Sequence, residues 1–186
     1  VHIYIHICDV YIHMYLDILQ KSSYKVFSQT KVLNLGYQKF QSIVSMQTHG
    51  LMFLPKTKHE YWRYYCSNII LFNRLCLRYI INYRRLSVGY ERMGFKNTAQ
   101  AKKMIADLEK MFKITLNLML KIKTNKVEML SQFQYVENAK YDFEMHYMKL
   151  YRISDKKKEI LFKSIILLDD MIICLKNIKG AYDDIT

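Results

Sequence analysis

His2, His6, Asp9 and His13 stand near the start of the chain at spacings of four, three and four. On a helix those spacings put all four on one narrow stripe. Neutral imidazoles and a carboxylate one turn apart can chelate zinc or a similar ion. They are the metal-ligand candidates of this sequence. A closed metal site also needs groups that orient its ligands, and the sequence identifies none, so the expectation is a chain with no resident metal or cofactor.

A second constellation is basic and aromatic. Arg63, Arg74, Arg78, Arg84 and Arg85 recur through residues 59–85, with Tyr61, Trp62, Tyr64, Tyr65, Tyr79 and Tyr83 among them. Arginine beside aromatic rings can hold phosphate oxygens and stack on unpaired bases. The plainer reading is a solvated helix face whose arginine stems cover apolar surface. A helix lying on an anionic membrane would carry the same pattern, so peripheral membrane contact belongs among the expectations.

Next to these arginines, Arg84-Arg85-Leu86-Ser87-Val88 has the shape of a basophilic kinase substrate. Gly89 and Gly94 then suggest an accessible loop, in which a phosphate on Ser87 would reorganise pairing with Arg84 and Arg85.

Other catalytic constellations are missing. The five glycines are isolated, and none opens a GxGxxG or GxxxxGK loop. HExxH and GxSxG do not occur, and His146 sits beside Glu144 and Met145 with no nucleophile deducible nearby. Asp169 and Asp170 interrupt an apolar run, but the Glu-x-x-His partners of a carboxylate-bridged metal pair are absent, so they read as a solvent-facing edge. The expectation is a protein that is not an enzyme.

The elements that must position these residues read as helices. In a chain of 186 residues, one proline and five glycines leave too few turn residues for a sheet protein. A hydrophobic fraction of 51% suits a globular core. The clearest unit covers residues 97–180 as three helices. The first carries Ile105, Leu108, Phe112, Thr115, Met119 and Ile122 at spacings of three and four, with Asn97 as its N-cap. The second, residues 125–151, carries Met129, Phe133, Val136, Phe143, Tyr147 and Leu150, with Lys140 as a polar break of the kind that fixes register. The third starts at Ser154 and carries Leu161, Ile165, Leu168, Ile172 and Leu175, with Gly180 expected to stop it in a left-handed conformation. Short links make neighbours antiparallel. The fold class is therefore all-α, an antiparallel bundle of about four to six helices with its C-terminal three-helix unit best defined.

Residues 58–186 form the expected bundle domain, and residues 1–57 a less defined segment, apolar and rich in His, Ile and Tyr and then polar, with Gly50 and Pro55 marking a hinge. A weak amphipathic helix is expected around Tyr37, Phe40, Ile43 and Val44. Residues 1–15, except Asp9, can be written with codons that alternate purine and pyrimidine. That pattern raises the reading that the N-terminal part is translated repeat DNA, and that the chain is a lineage-specific or mispredicted product without a selected activity.

The formal charge is +13, and the excess is concentrated before Phe95, where twelve Lys and Arg face four Asp and Glu. Such a balance points to acidic partners: an acidic protein surface, nucleic acid or anionic lipid. Cys8, Cys66, Cys76 and Cys174 show no CxxC spacing and no secretory n-region precedes them, so reduced thiols in an intracellular compartment are expected. The preferred expectation is a non-catalytic basic helical interaction module for an acidic partner, with RNA or single-stranded nucleic-acid binding through the five arginines as the rival.

Overall fold

The structure is a computed structural model that describes residues 38, 41–42, 55–89, 98–123, 126–148 and 155–185. Among them the chain forms four α-helices and no strand: α1 (His59–Gly89), α2 (Thr98–Leu120), α3 (Lys126–Phe143) and α4 (Asp155–Ile185). A 3-10 turn, Lys56–Lys58, leads into α1, and a π-helical turn, Glu144–Met148, follows α3. Gln38, Gln41 and Ser42 are helical as well.

Contacts between the helices fix their directions. Lys58, at the entrance to α1, donates from Nζ to the carbonyl of Ile185 at the end of α4 across 2.5 Å. Ten residues further along α1, Asn68 meets Asn177. Residue numbers that rise on one helix while falling on the other make α1 and α4 antiparallel, and this pair of 31-residue helices is the bundle's most extensive contact. Tyr79 and Tyr83 of α1 reach Leu108 and Glu109 of α2. Tyr147, just after α3, reaches Asp107 of α2, and Lys140 and Glu137 of α3 pair with Asp169 and Lys176 of α4. Numbers that rise on α3 while falling on α4 make that pair antiparallel as well.

The core consists of the stripes that the spacing defines. Leu108, Phe112, Thr115 and Met119 are buried on α2 and Ile122 in the turn after it, and Ile105 is half-buried at the edge. Met129, Phe133, Val136, Phe143 and Tyr147 are buried from the third segment, and Leu161, Ile165, Leu168, Ile172 and Leu175 from α4. Tyr79 is fully buried and stacks on Phe112 with ring centroids 4.4 Å apart, an offset geometry worth about 1 kcal/mol beyond the area buried.

Several boundaries differ from expectation. Gly180 does not stop the last helix: α4 runs through it to Ile185, because Ala181 and Ile185 continue beyond it the buried face that holds Ile178. The second helix of the three-helix unit is α-helical only to Phe143 and then widens into the π turn. Asp169 is no simple solvent edge, since it forms an ion pair with Lys140; Asp170 is exposed. Lys140 in the apolar stripe is explained by that pair. The proposed caps Asn97 and Ser154, stripe member Leu150 and hinge residue Gly50 lie outside the described residues, as do Tyr37, Phe40, Ile43 and Val44.

Candidate functional site

Helix α1 places its arginines on one ridge. Arg63, Arg74, Arg78 and Arg85 are all exposed, and at helical spacing they share a side with Ser67, along a ridge about 33 Å long. Arg84 is half-buried and stands off that line. Among the described residues no carboxylate pairs with the four exposed guanidiniums. On the other helices Lys113, Lys140, Lys163, Lys176 and Lys179 each face an acidic side chain, while Lys103 and Lys110 of α2 do not.

The aromatics expected to interleave with the arginines divide into two groups. Trp62, Tyr65 and Tyr79 are buried in the core, and Tyr83 is half-buried with its hydroxyl donating to Glu109 Oε2 at 2.8 Å. Only Tyr61 and Tyr64, in the first turns of α1, stand exposed beside Arg63. Burial pushes the Tyr79 hydroxyl well above its ordinary pKa, reinforced by Tyr83 and Glu109, so it is a neutral donor to the Leu108 carbonyl. Burial, and then the hydrogen bond to Glu109, raise Tyr83 in the same direction.

Ser87 belongs to the last turn of α1, whose helix continues to Gly89, and not to an accessible loop. Leu86 beside it is buried. Helix requires that turn to open before a kinase could hold it as an extended strand. The metal candidates His2, His6, Asp9 and His13 lie outside the described residues, and among the described residues no group of three or more His, Cys, Asp or Glu is placed to hold a metal ion. No helix of the described residues is long and apolar enough to cross a membrane. Cys66, Cys76 and Cys174 are buried thiols. Burial pushes Cys66 up to about 12 and, with a smaller contribution from Asp170, Cys174 up to about 11, so neither supplies a thiolate near neutral pH.

One feature lies away from the arginines. Helices α2 and α3 diverge around two adjoining clefts of about 470 and 510 Å³ that share Ile114 and Tyr135 in their linings. Met111 and Phe143 form an apolar floor, and Lys103 and Lys110 stand exposed on the α2 rim. At the far end Tyr147 donates to Asp107 Oδ2 at 2.7 Å. The π turn delivers this tyrosine together with His146, which packs edge-on to the Tyr147 ring. Single π turns recur where a helix must re-aim side chains at a site.

The sequence stripes missed this groove. Its α2 side carries Lys103, Asp107, Lys110, Ile114, Asn117 and Lys121 at spacings of four, three, four, three and four, with Met111 and Leu120 beside that mostly polar line. The period was the available signal; the polarity concealed it. Compared with protein-family models, curated proteins and solved structures, the chain matches none.

Proposed function

We propose that the protein is a non-catalytic interaction module that binds an acidic protein surface through the arginine ridge of α1. The observation that carries this reading is that Arg63, Arg74, Arg78 and Arg85 stand exposed along one ridge with no carboxylate partner among the described residues, whereas Lys113, Lys140, Lys163, Lys176 and Lys179 on the other helices each face an acid. Arg74 and Arg78 lie one turn apart, where like charges disfavour the helix by a few tenths of a kcal/mol. An acidic surface removes that repulsion, and the planar guanidinium forks match its carboxylates in pairs.

Nucleic acid is the second reading, favoured by Tyr61 and Tyr64 exposed beside Arg63 as stacking surfaces. It is the weaker one because the remaining aromatics of the helix are engaged in the core.

The test compares the full chain with a variant carrying Gln at positions 63, 74, 78 and 85, matched for helicity by circular dichroism. Poly-L-glutamate and a single-stranded RNA 20-mer serve as probes. The acidic-protein reading expects polyglutamate binding that the four substitutions abolish and that Tyr61→Ala with Tyr64→Ala leaves intact. RNA binding that falls by about 0.7 log units per phosphate contact for each tenfold rise in salt, and weakens on removal of the two tyrosines, selects the second reading. Equal binding by the Gln variant and the wild type sinks both.

A further inference from the structure

The groove between α2 and α3 has the dimensions and periodicity of a seat for another helix. On α2 and the turn that follows it, Lys103, Asp107, Lys110, Ile114, Asn117 and Lys121 of the lining fall at a seven-residue period, with Met111 and Leu120 beside that line. On α3 Ser131, Tyr135, Asn138 and Asp142 fall at the same period, with Gln132, Ala139 and Phe143 beside them. His146 continues that line one residue later than a regular helix would place it, and the extra residue of the π turn accounts for the offset. Paired seams at a 3.5-residue spacing are what two helices present to a third. From Lys103 to Lys121 the groove runs about 27 Å, the length of five helical turns.

The lining also specifies the chemistry of the occupant. Ile114, Leu120 and Ala139, all half-buried, offer apolar surface that a stripe of leucine-like side chains can cover, above the buried Met111 and Phe143. Lys103, Lys110 and Lys121 are spread along the α2 rim. Lys103 and Lys110 have no carboxylate partner among the described residues, even though Asp107 lies between them on the same rim. Tyr147 is hydrogen-bonded to Asp107. The opposite rim is mostly neutral, with Ser131, Gln132, Tyr135 and Asn138 before Asp142.

We infer that this groove receives an amphipathic helix of a partner protein, about five turns long, with an apolar stripe against Ile114, Leu120 and Ala139 and an acidic flank along Lys103, Lys110 and Lys121. The inference stands on α2 and α3 and is independent of the α1 ridge. Helix-in-groove recognition of this kind takes its affinity from the apolar anchors and its orientation from the charged flank.

The experiment titrates the full chain with two labelled 18-residue helical peptides of identical apolar stripe, one flanked by Glu and the other by Lys, and reads fluorescence anisotropy. The Glu-flanked peptide is expected to bind at least tenfold more tightly. Lys103→Glu with Lys110→Glu is expected to remove that preference or reverse it, with the thermal transition unchanged because both side chains are exposed. Gln at Arg74 and Arg78 is expected to leave peptide binding unaltered, which separates the groove from the ridge. The inference is overturned if neither peptide binds, if both bind equally, or if the preference survives the charge reversal. A concentration-dependent dimer that the reversal abolishes would assign the groove to a second copy of the chain and overturn it as well. So would decanoate binding that saturates the groove where the peptides do not bind.

Discussion

Asn177 of α4 donates from Nδ2 to Oδ1 of Asn68 on α1 across 3.2 Å, and Asn68 in turn donates to the carbonyl of Tyr64 at 2.9 Å. Asn68 is buried. A buried amide tolerates few alternative alignments, because shifting one helix along the other leaves it without its partner. The antiparallel register of α1 and α4 is therefore selected by polarity as well as by shape.

Replacing Asn68 by Leu should cost about 1–2 kcal/mol, since the half-buried Asn177 amide loses its acceptor. Replacing both asparagines by Leu should recover much of that loss. Urea denaturation of the two variants checks this, and a single variant as stable as the wild type would show that the pair does not constrain the interface.

Tyr79→Phe isolates the hydroxyl from the ring. The ring stacks on Phe112 and is fully buried, while the hydroxyl bonds the Leu108 carbonyl at 2.9 Å. Loss of the hydroxyl alone should cost about 1 kcal/mol, and Tyr79→Ala, which also opens a cavity, about 3–5 kcal/mol. A ratio near one between the two costs in urea titration would refute this division.

Lys140 and Asp169 join α3 to α4 as an ion pair whose side chains are 19% and 39% exposed. At that exposure water screens the pair, so a double-mutant cycle with Lys140→Met and Asp169→Asn should return a coupling of about 0.5–1 kcal/mol. A coupling near zero would leave the lysine in the apolar stripe without an energetic reason.

The buried thiols make alkaline stability fall in a defined window. Cys66 has an ordinary value of 9.0 raised to about 12, and Cys174 is raised from the same value to about 11. In each case the native state holds a proton that the unfolded chain releases. The resulting stability is fully present below pH 9 and is lost as pH climbs through the folded values. Each thiol contributes a slope of at most about 1.4 kcal/mol per pH unit within its window. Comparing urea midpoints of the wild type and Cys66→Ala from pH 8 to 10.5 checks this: the variant should start lower at pH 8 and decline less steeply above pH 9. Parallel declines would mean that Cys66 titrates normally in the folded protein.

Much of the bundle was legible because burial imposes a period that sequence cannot hide. Every described member of the α3 and α4 stripes is buried, and on α2 only Ile105 is half-buried. The arginine ridge was legible for the same reason in reverse, since exposed guanidiniums share one side of α1. What the sequence withheld depends on pairing across space. Tyr64 and Tyr65 are adjacent and chemically identical, yet one is exposed and the other fully buried, because a 100° step separates solvent from core. The α2–α3 groove escaped notice because its α2 seam mixes Lys, Asp and Asn, and only its partner seam on α3 makes it a groove. The π turn left no recognisable residue signal.

Gly180 supplies the sharpest case of sequence and structure pointing opposite ways. A glycine after an apolar stripe is the usual left-handed terminator, and at such a position alanine would be strained and destabilising. In the fold Gly180 lies within α4, five residues before its end, and an added Cβ would meet nothing within 4 Å. Alanine there introduces no clash and reduces the conformational freedom of the unfolded chain, so Gly180→Ala should stabilise the protein by about 0.4–1 kcal/mol. The measurement is the thermal midpoint of the single variant. A rise places the last turns of α4, and with them the bond from Lys58 to the Ile185 carbonyl, inside the cooperative unit. A fall would mean that the helix ends at Gly180 in solution, with Ala181 and Ile185 released from the core that they complete here.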